Sequence, residues 1–230
     1  NILDIASRIG PRSTGVSAVV PGAADPGTGV DIYSHDAGID VSGGESGDVR
    51  YDVQEESNMW LHLGCALAGF LTLRTGPATL FIAKQYTFYR TFTWQLILLY
   101  ASLFDRFYLT KPLTSRPTNS EIYLIGVGFR GCPAHISEFM RRRLQTRDSS
   151  PFIPETTARL MPAIGALRTF ARNVYGQQRD MLLEIVRLHH TYTAEQITAG
   201  TRELKRQLIA RWLMKHPVKR IEPAARVPSN

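Results

Sequence analysis

Residues 79–84 (TLFIAK) form a nearly uninterrupted apolar run closed by a lysine, the pattern of a strand buried on both faces of a sheet. Such a strand needs covering layers, and its flanks supply candidates. Residues 59–73 (MWLHLGCALAGFLTL) precede it and residues 92–104 (FTWQLILLYASLF) follow it. Each is about 13 to 15 residues long, whereas a membrane span needs roughly 20 apolar residues, so both are expected to be helices packed on a sheet and no membrane partner is expected. Ser57 is a reasonable N-cap for the first, ahead of Leu61, Cys65, Ala68 and Leu71, and Gly76-Pro77 ends it. Upstream, residues 30–34 (VDIYS) make a shorter strand that stops at the turn His35-Asp36-Ala37-Gly38. Downstream, residues 107–111 (FYLTK) and 121–129 (EIYLIGVGF) flank the polar turn PLTSRPTNS and are close enough to pair as an antiparallel hairpin. The order β-α-β-α-β-β specifies an α/β fold. Ligands of doubly wound sheets bind beyond the carboxyl ends of the parallel strands, where Asp36 and Lys84 fall.

The rest of the chain has a different character. Residues 1–30 are rich in Gly, Pro, Ser and Ala, with only ILDI and VSAVV resembling short strands. Beyond residue 131 the pattern is helical, with helices expected over 135–147, about 155–175, 178–191 and 193–215 and with Pro151, Pro154 and Pro162 as punctuation. The division expected is residues 1–131 as an α/β domain, 132–220 as a basic helical extension and 221–230 as a disordered tail. Charge follows this division. Residues 1–120 hold nine Lys/Arg and eleven Asp/Glu, whereas 121–230 hold eighteen and nine, so the formal net charge of +7 belongs to the second half. That asymmetry suits a polyanion guided toward a site elsewhere, and equally a solvated basic surface without a partner. Normal apolar content excludes collagen-like and globally disordered chains. Cys65 and Cys132 lack zinc-ligand or disulfide-framework spacing, which fits a reducing, cytoplasmic compartment. The first residue is Asn1 and no signal-peptide pattern follows, so a piece of a longer polypeptide is expected.

Three polar residues are expected where strand ends converge: Asp36, Lys84 and Glu121. Desolvation at the end of an apolar strand would lower the lysine's pKa and make the amine usable as a base or as a stabiliser of a developing alkoxide, while flanking carboxylates would oppose the fall. Each residue taken alone also suits a plain role, as a snorkelling lysine, a turn acid and a strand-edge cap.

Residues 111–131 (KPLTSRPTNSEIYLIGVGFRG) resemble the C-terminal motif of the FtsJ-like RNA ribose 2′-O-methyltransferases, in which a KPxxSRxxxSE stretch leads into the last strands. The similarity is greatest to the cap-1 branch and its viral relatives. VDIYSHDAG and ATLFIAKQYTF resemble, in order and spacing, the segments that supply the Asp and second Lys of that family's Lys-Asp-Lys-Glu tetrad. The resemblance covers about residues 16–131 and implies a Rossmann-like class I methyltransferase fold lacking its N-terminal part, with a mainly α-helical extension. It also implies methyl transfer from S-adenosylmethionine to a ribose 2′-oxygen, with Asp36, Lys84 and Glu121 as catalytic residues. Ser115 and Arg116 match positions near the acceptor nucleotide; Arg116 as a turn arginine paired with Glu121 is the alternative. Asp25, in PGAADPGTG, resembles a residue near the adenosine, or belongs to a surface turn. No lysine precedes Lys84, so the tetrad's first lysine has no counterpart in this chain, and the family's Gly-rich cofactor loop has no convincing one. Arg141, Arg142 and Arg143 lead the basic extension and are expected to meet RNA phosphates. Tyr86, Phe88, Tyr89 and Trp94 are either base-stacking platforms or core. The partners implied are the capped 5′ end of an mRNA and the remainder of a larger polypeptide or viral polymerase complex, in host cytoplasm or virion. A catalytically inactive RNA-binding or scaffold module of the same fold is the other reading.

Overall fold

In a computed structural model the described residues are 2–4, 29–39, 54–86, 88–112, 115–154 and 157–217. They form five strands and five helices: β1 (Ile2–Asp4), β2 (Ile32–His35), α1 (Gln54–Thr72), β3 (Gly76–Gln85), α2 (Thr91–Ala101), β4 (Phe104–Thr110), β5 (Ile122–Phe129), α3 (Ala134–Thr146), α4 (Met161–Thr191) and α5 (Ala194–Lys215). The strands make one mixed sheet in the order β1-β4-β5-β3-β2. β2 and β3 are parallel, and every other neighbouring pair is antiparallel. The β4–β5 pair is the expected hairpin, but β5 also pairs with β3, so the apolar run at 79–84 lies between β2 and β5.

Side-chain size sets how closely the three inner strands pack. Gly126 of β5 lies in register with Phe81 of β3 and Phe107 of β4. A Cβ there would come within 2.7 Å of the Phe104 ring, so glycine makes room for an aromatic cluster of Phe70, Phe81, Phe104 and Phe129. Phe81 and Ala83 are buried on one face of β3, while Leu80 and Ile82 on the other are half-buried. The two faces of that strand are therefore unequally covered, contrary to what its unbroken apolarity suggested.

The helices lie close to where periodicity puts them, but Ser57, expected as the N-cap of the first, lies inside α1, which already begins at Gln54. The segments expected at about 155–175 and 178–191 are joined in the single 31-residue α4, which runs on through Gly176, while Pro162 lies in its first turn, where no intrahelical N–H is needed. The chain divides between Arg179 and Asp180 rather than at residue 131. α3 and the first part of α4 belong to the first unit because Met140, Leu160, Ala163, Ile164, Leu167, Phe170 and Val174 join the same core as Phe81 and Leu63. In the second unit the rest of α4 is largely exposed and α5 buries none of its residues, and α5 opens with a capping box in which Thr193 and Gln196 satisfy each other's backbone N–H groups. Among the described residues no helix is long and apolar enough to cross a membrane.

Candidate active site

β2 and β3 run parallel and in register, so both carboxyl ends reach the same edge of the sheet. β5 is antiparallel to β3, and its first residues arrive there too. Three segments distant in sequence are thereby joined. Lys84 Nζ lies 2.8 Å from Asp36 Oδ1, with the lysine side chain 11% exposed and the carboxylate 77% exposed. Burial would pull the ammonium's pKa down, but the hydrogen bond to Asp36 and the neighbouring Tyr86 phenol outweigh it, and the net shift is upward. The desolvated, lowered lysine expected from the sequence is therefore replaced by one held protonated by its partners.

Glu121 joins this pair through a residue that sequence reasoning did not single out. Tyr123 is the cross-strand partner of Lys84 and donates its phenolic hydrogen to Glu121 Oε1 at 3.0 Å. Burial, that hydrogen bond and the charges of Glu121 and Asp36 push the phenol up to about 12, with Lys84 acting in the opposite sense. Tyr123 thus senses all three charged residues.

The turn before Glu121 is organised by Lys111. Its Nζ lies 2.9 Å from Ser115 Oγ, 3.1 Å from the Arg116 carbonyl, 2.9 Å from the Asn119 carbonyl and 2.9 Å from the Glu121 carbonyl, and it also meets Asn119 Oδ1. Three ammonium hydrogens are shared among these oxygens. Burial lowers the pKa of Lys111, and Glu121 opposes the fall. Ser115 is engaged in this network, donating to Asn119 Oδ1 at 3.2 Å, while the Arg116 side chain is exposed. The turn is tied to α4 by Gln178, whose amide donates to the Thr118 carbonyl at 2.8 Å.

The N-terminal half of α1 braces the site. Asn58 and His62, four residues apart on one face, hold the turn after Asp36: Asn58 Oδ1 accepts the Ile39 N–H at 2.5 Å, and His62 Nε2 lies 3.2 Å from the Ala37 carbonyl. Glu55, one turn earlier, accepts the backbone N–H groups of Tyr89 and Arg90 at 3.0 Å each, at the start of α2. A periodicity reading treats such residues as the polar edge of a helix.

The other expected residues are placed as follows. Asp25 lies outside the described residues. Arg141 and Arg142 are exposed on α3, but Arg143 is buried and is not available to a phosphate. Its guanidinium pairs with Asp148, donates to the Asp148 carbonyl and Ser150 Oγ at 2.9 Å each, and packs over the rings of Phe139, Phe92 and Phe152. The 100° step per residue that turns its two neighbours outward turns Arg143 inward. Phe88 is buried and Trp94 half-buried against the core. Tyr86 is half-buried with its ring stacked on His62, and Tyr89 is 65% exposed with its ring stacked on Tyr175 at 4.2 Å. Among the described residues no group of three or more His, Cys, Asp or Glu is placed to hold a metal ion.

The sheet thus gathers an ion-paired Lys and Asp from parallel strand ends and a Glu from the start of the antiparallel β5 at one edge. The FtsJ-like methyltransferase family matches residues 8–129, and the chain belongs to it. The chain is 36% identical over 127 residues to the probable methyltransferase EP424R of African swine fever virus (strain Badajoz 1971 Vero-adapted), a match covering 55% of this chain and 28% of the viral protein. It is 37% identical over 102 residues to cap-specific mRNA (nucleoside-2′-O-)-methyltransferase 1 of Xenopus laevis, covering 44% of this chain and 11% of the frog protein. The Dictyostelium discoideum protein of the same name is 34% identical over 115 residues, covering 50% and 14%. The chain thus spans between about a tenth and about a quarter of the length of these relatives.

Proposed function

We propose that this chain carries the acceptor-side catalytic residues of an S-adenosylmethionine-dependent RNA ribose 2′-O-methyltransferase. Its substrate is the capped 5′ end of mRNA, and it acts as part of a larger viral replicase or capping polypeptide in the host cytoplasm or virion. The observation that carries this reading is the 2.8 Å Lys84–Asp36 pair at the carboxyl ends of β2 and β3. The cofactor, when bound, supplies an electrophilic methyl group on a sulfonium sulfur. Among the described residues the donor set fits the hydroxyl acceptor, and none is assigned to hold the cofactor.

A ribose hydroxyl is a weak nucleophile at neutral pH, and a protonated amine beside it stabilises the negative charge that grows on oxygen during attack. Lys84 is suited to that role because its partners keep it charged. Its task is electrostatic: Nζ donates a hydrogen bond to the 2′-oxygen while the hydroxyl proton passes to solvent water, which reaches the exposed Asp36 side of the pair. Asp36 fixes the direction of Nζ, and Tyr123, the cross-strand neighbour of Lys84, holds the Glu121 carboxylate. Arg116 and the exposed Arg141 and Arg142 supply positive charge for the phosphate backbone.

The test is methyl transfer from isotopically labelled S-adenosylmethionine to capped RNA, with the product located by nuclease digestion and mass spectrometry. Lys84→Ala should lower the rate by at least about a hundredfold; undiminished 2′-O-methylation in that variant refutes the assignment. The second reading is an inactive RNA-binding or scaffold module of the same fold. RNA binding without any consumption of the cofactor would support it.

A further inference from the structure

The Lys84–Asp36 pair unites the ends of two strands, and Asp36 itself stands on an exposed turn. The contacts of the flanking residues indicate what holds that turn in place. His62 is buried in α1, with Nδ1 3.1 Å from Gln85 Oε1 and Nε2 3.2 Å from the Ala37 carbonyl. Gln85 follows Lys84, and Ala37 follows Asp36. One imidazole therefore bridges the residues immediately after the two members of the ion pair. The Tyr86 ring stacks on the same imidazole with centroids 5.9 Å apart, and a Cβ on Gly38 would meet the Tyr86 hydroxyl at 2.6 Å. The turn is thus held by His62 of α1 and by Tyr86, the residue after β3.

We infer that His62 is a positioning residue for methyl transfer, the clamp that sets the distance and direction between Asp36 and Lys84. This inference rests on the catalytic reading of that pair. The hydrogen-bonding pattern defines the form of the ring. Burial lowers its pKa, so the imidazole is neutral and has one N–H. The Ala37 carbonyl only accepts, which places that hydrogen on Nε2. Nδ1 is then an acceptor, which assigns the Gln85 amide the flipped orientation, with NH2 rather than Oε1 toward the ring. Each contact has one donor and one acceptor, and the two together define a unique orientation of the ring.

The experiment compares His62→Ala with His62→Gln, whose amide also offers one donor and one acceptor, in the labelled-methyl assay. His62→Ala is expected to lower kcat by roughly ten- to a hundredfold, with KM for RNA and cofactor changed less than about twofold. His62→Gln is expected to recover most of kcat. If His62→Ala does not fold, His62→Leu, which has neither donor nor acceptor, takes its place. A second readout is the titration of the Lys84 ammonium by 15N NMR in lysine-labelled protein. In His62→Ala it is expected to move toward that of a free lysine, because Asp36 is no longer held against it. Unchanged kcat in the variant without donor or acceptor, or an unmoved Lys84 titration, overturns the inference. Failure of the catalytic reading looks different: the wild-type protein transfers no methyl group, while the NMR comparison still shows whether His62 sets the pair.

Discussion

Arginines 141, 142 and 143 form one basic run, yet replacing the second and third should have opposite consequences. Arg143→Ala removes a guanidinium that donates to the Asp148 carbonyl and Ser150 Oγ, pairs with the Asp148 carboxylate and lies within 5.8 Å of three phenylalanine ring centroids. Hydrogen bonds from a charged donor contribute about 1.5 kcal/mol each at the low end of their range. The Asp148 carboxylate is half exposed and regains water, so loss of the ion pair itself adds no more than about 1 kcal/mol. The net cost is therefore about 3 kcal/mol, or more if the space among the rings stays open. For a unit of this size each kcal/mol moves the melting temperature by about 2–4 °C, so Arg143→Ala should melt about 6–12 °C lower. Its RNA affinity, measured on folded protein, should keep the wild-type dependence on salt. Arg142→Ala should behave inversely, leaving melting within about 2 °C and reducing the slope of log affinity against log salt by about 0.7 for one lost contact to single-stranded RNA. The assays are calorimetry and a salt titration of RNA binding. Arg143→Ala protein with unchanged melting and a reduced salt slope would refute the packing argument.

Three other outcomes are expected. Lys84→Met keeps the buried stem and removes the charge; because Asp36 is largely solvated, thermal melting should show stability within about 1 kcal/mol of wild type, whereas the methyl-transfer assay should show a loss of about 10²–10⁴-fold. His35 has both ring nitrogens buried without a hydrogen-bond partner among the described residues, and burial, with His62 and Lys84 adding to it and Asp36 opposing, pushes its pKa down to about 4 from an ordinary 6.5. The unfolded chain then binds the extra proton between those values, so this contribution is complete above about pH 6.5 and lost as pH falls toward 4; His35→Phe should show a shallower fall in melting temperature over that window, and an identical fall would contradict the assignment. Gly69→Ala should gain about 1 kcal/mol of helix propensity but press a methyl to 2.6 Å from the Tyr33 ring. Overpacking costs about 1–3 kcal/mol, so net destabilisation of about 1 kcal/mol is expected in denaturant unfolding.

The parts of this fold that were legible in the sequence are those governed by local pattern. The apolar run ending at Lys84, the two apolar helices and the hairpin strands are all present, with boundaries displaced by a few residues. Asp36 and Lys84 could be paired in advance because parallel strands deliver their carboxyl ends to one edge. What stayed hidden depends on direction and neighbours. The arginine run reads as one patch until the helical step separates Arg143 from the others. The burial of Lys84 was foreseeable, but the upward sign of its pKa shift requires the 2.8 Å contact with Asp36 and the nearness of Tyr86. Asn58 and His62 carried a usable signal, two polar residues four apart in an apolar helix, but only the turn they grip gives it meaning. The boundary expected at residue 131 followed composition, whereas the apolar residues of α3 and α4 follow the core.

Lys111 has a consequence that reaches beyond the turn it organises. A cation surrounded by five protein oxygens is what a loop ordinarily obtains by capturing a sodium or calcium ion, and here the ion is tethered to the chain. A tethered ion has no dissociation constant: dilution, chelators and changes of ionic medium leave it in place. Its vulnerability is chemical instead. Acetylation of that one amine would remove its charge and two of its hydrogens, and the loop would lose its internal counter-charge as surely as a calcium loop does in chelator.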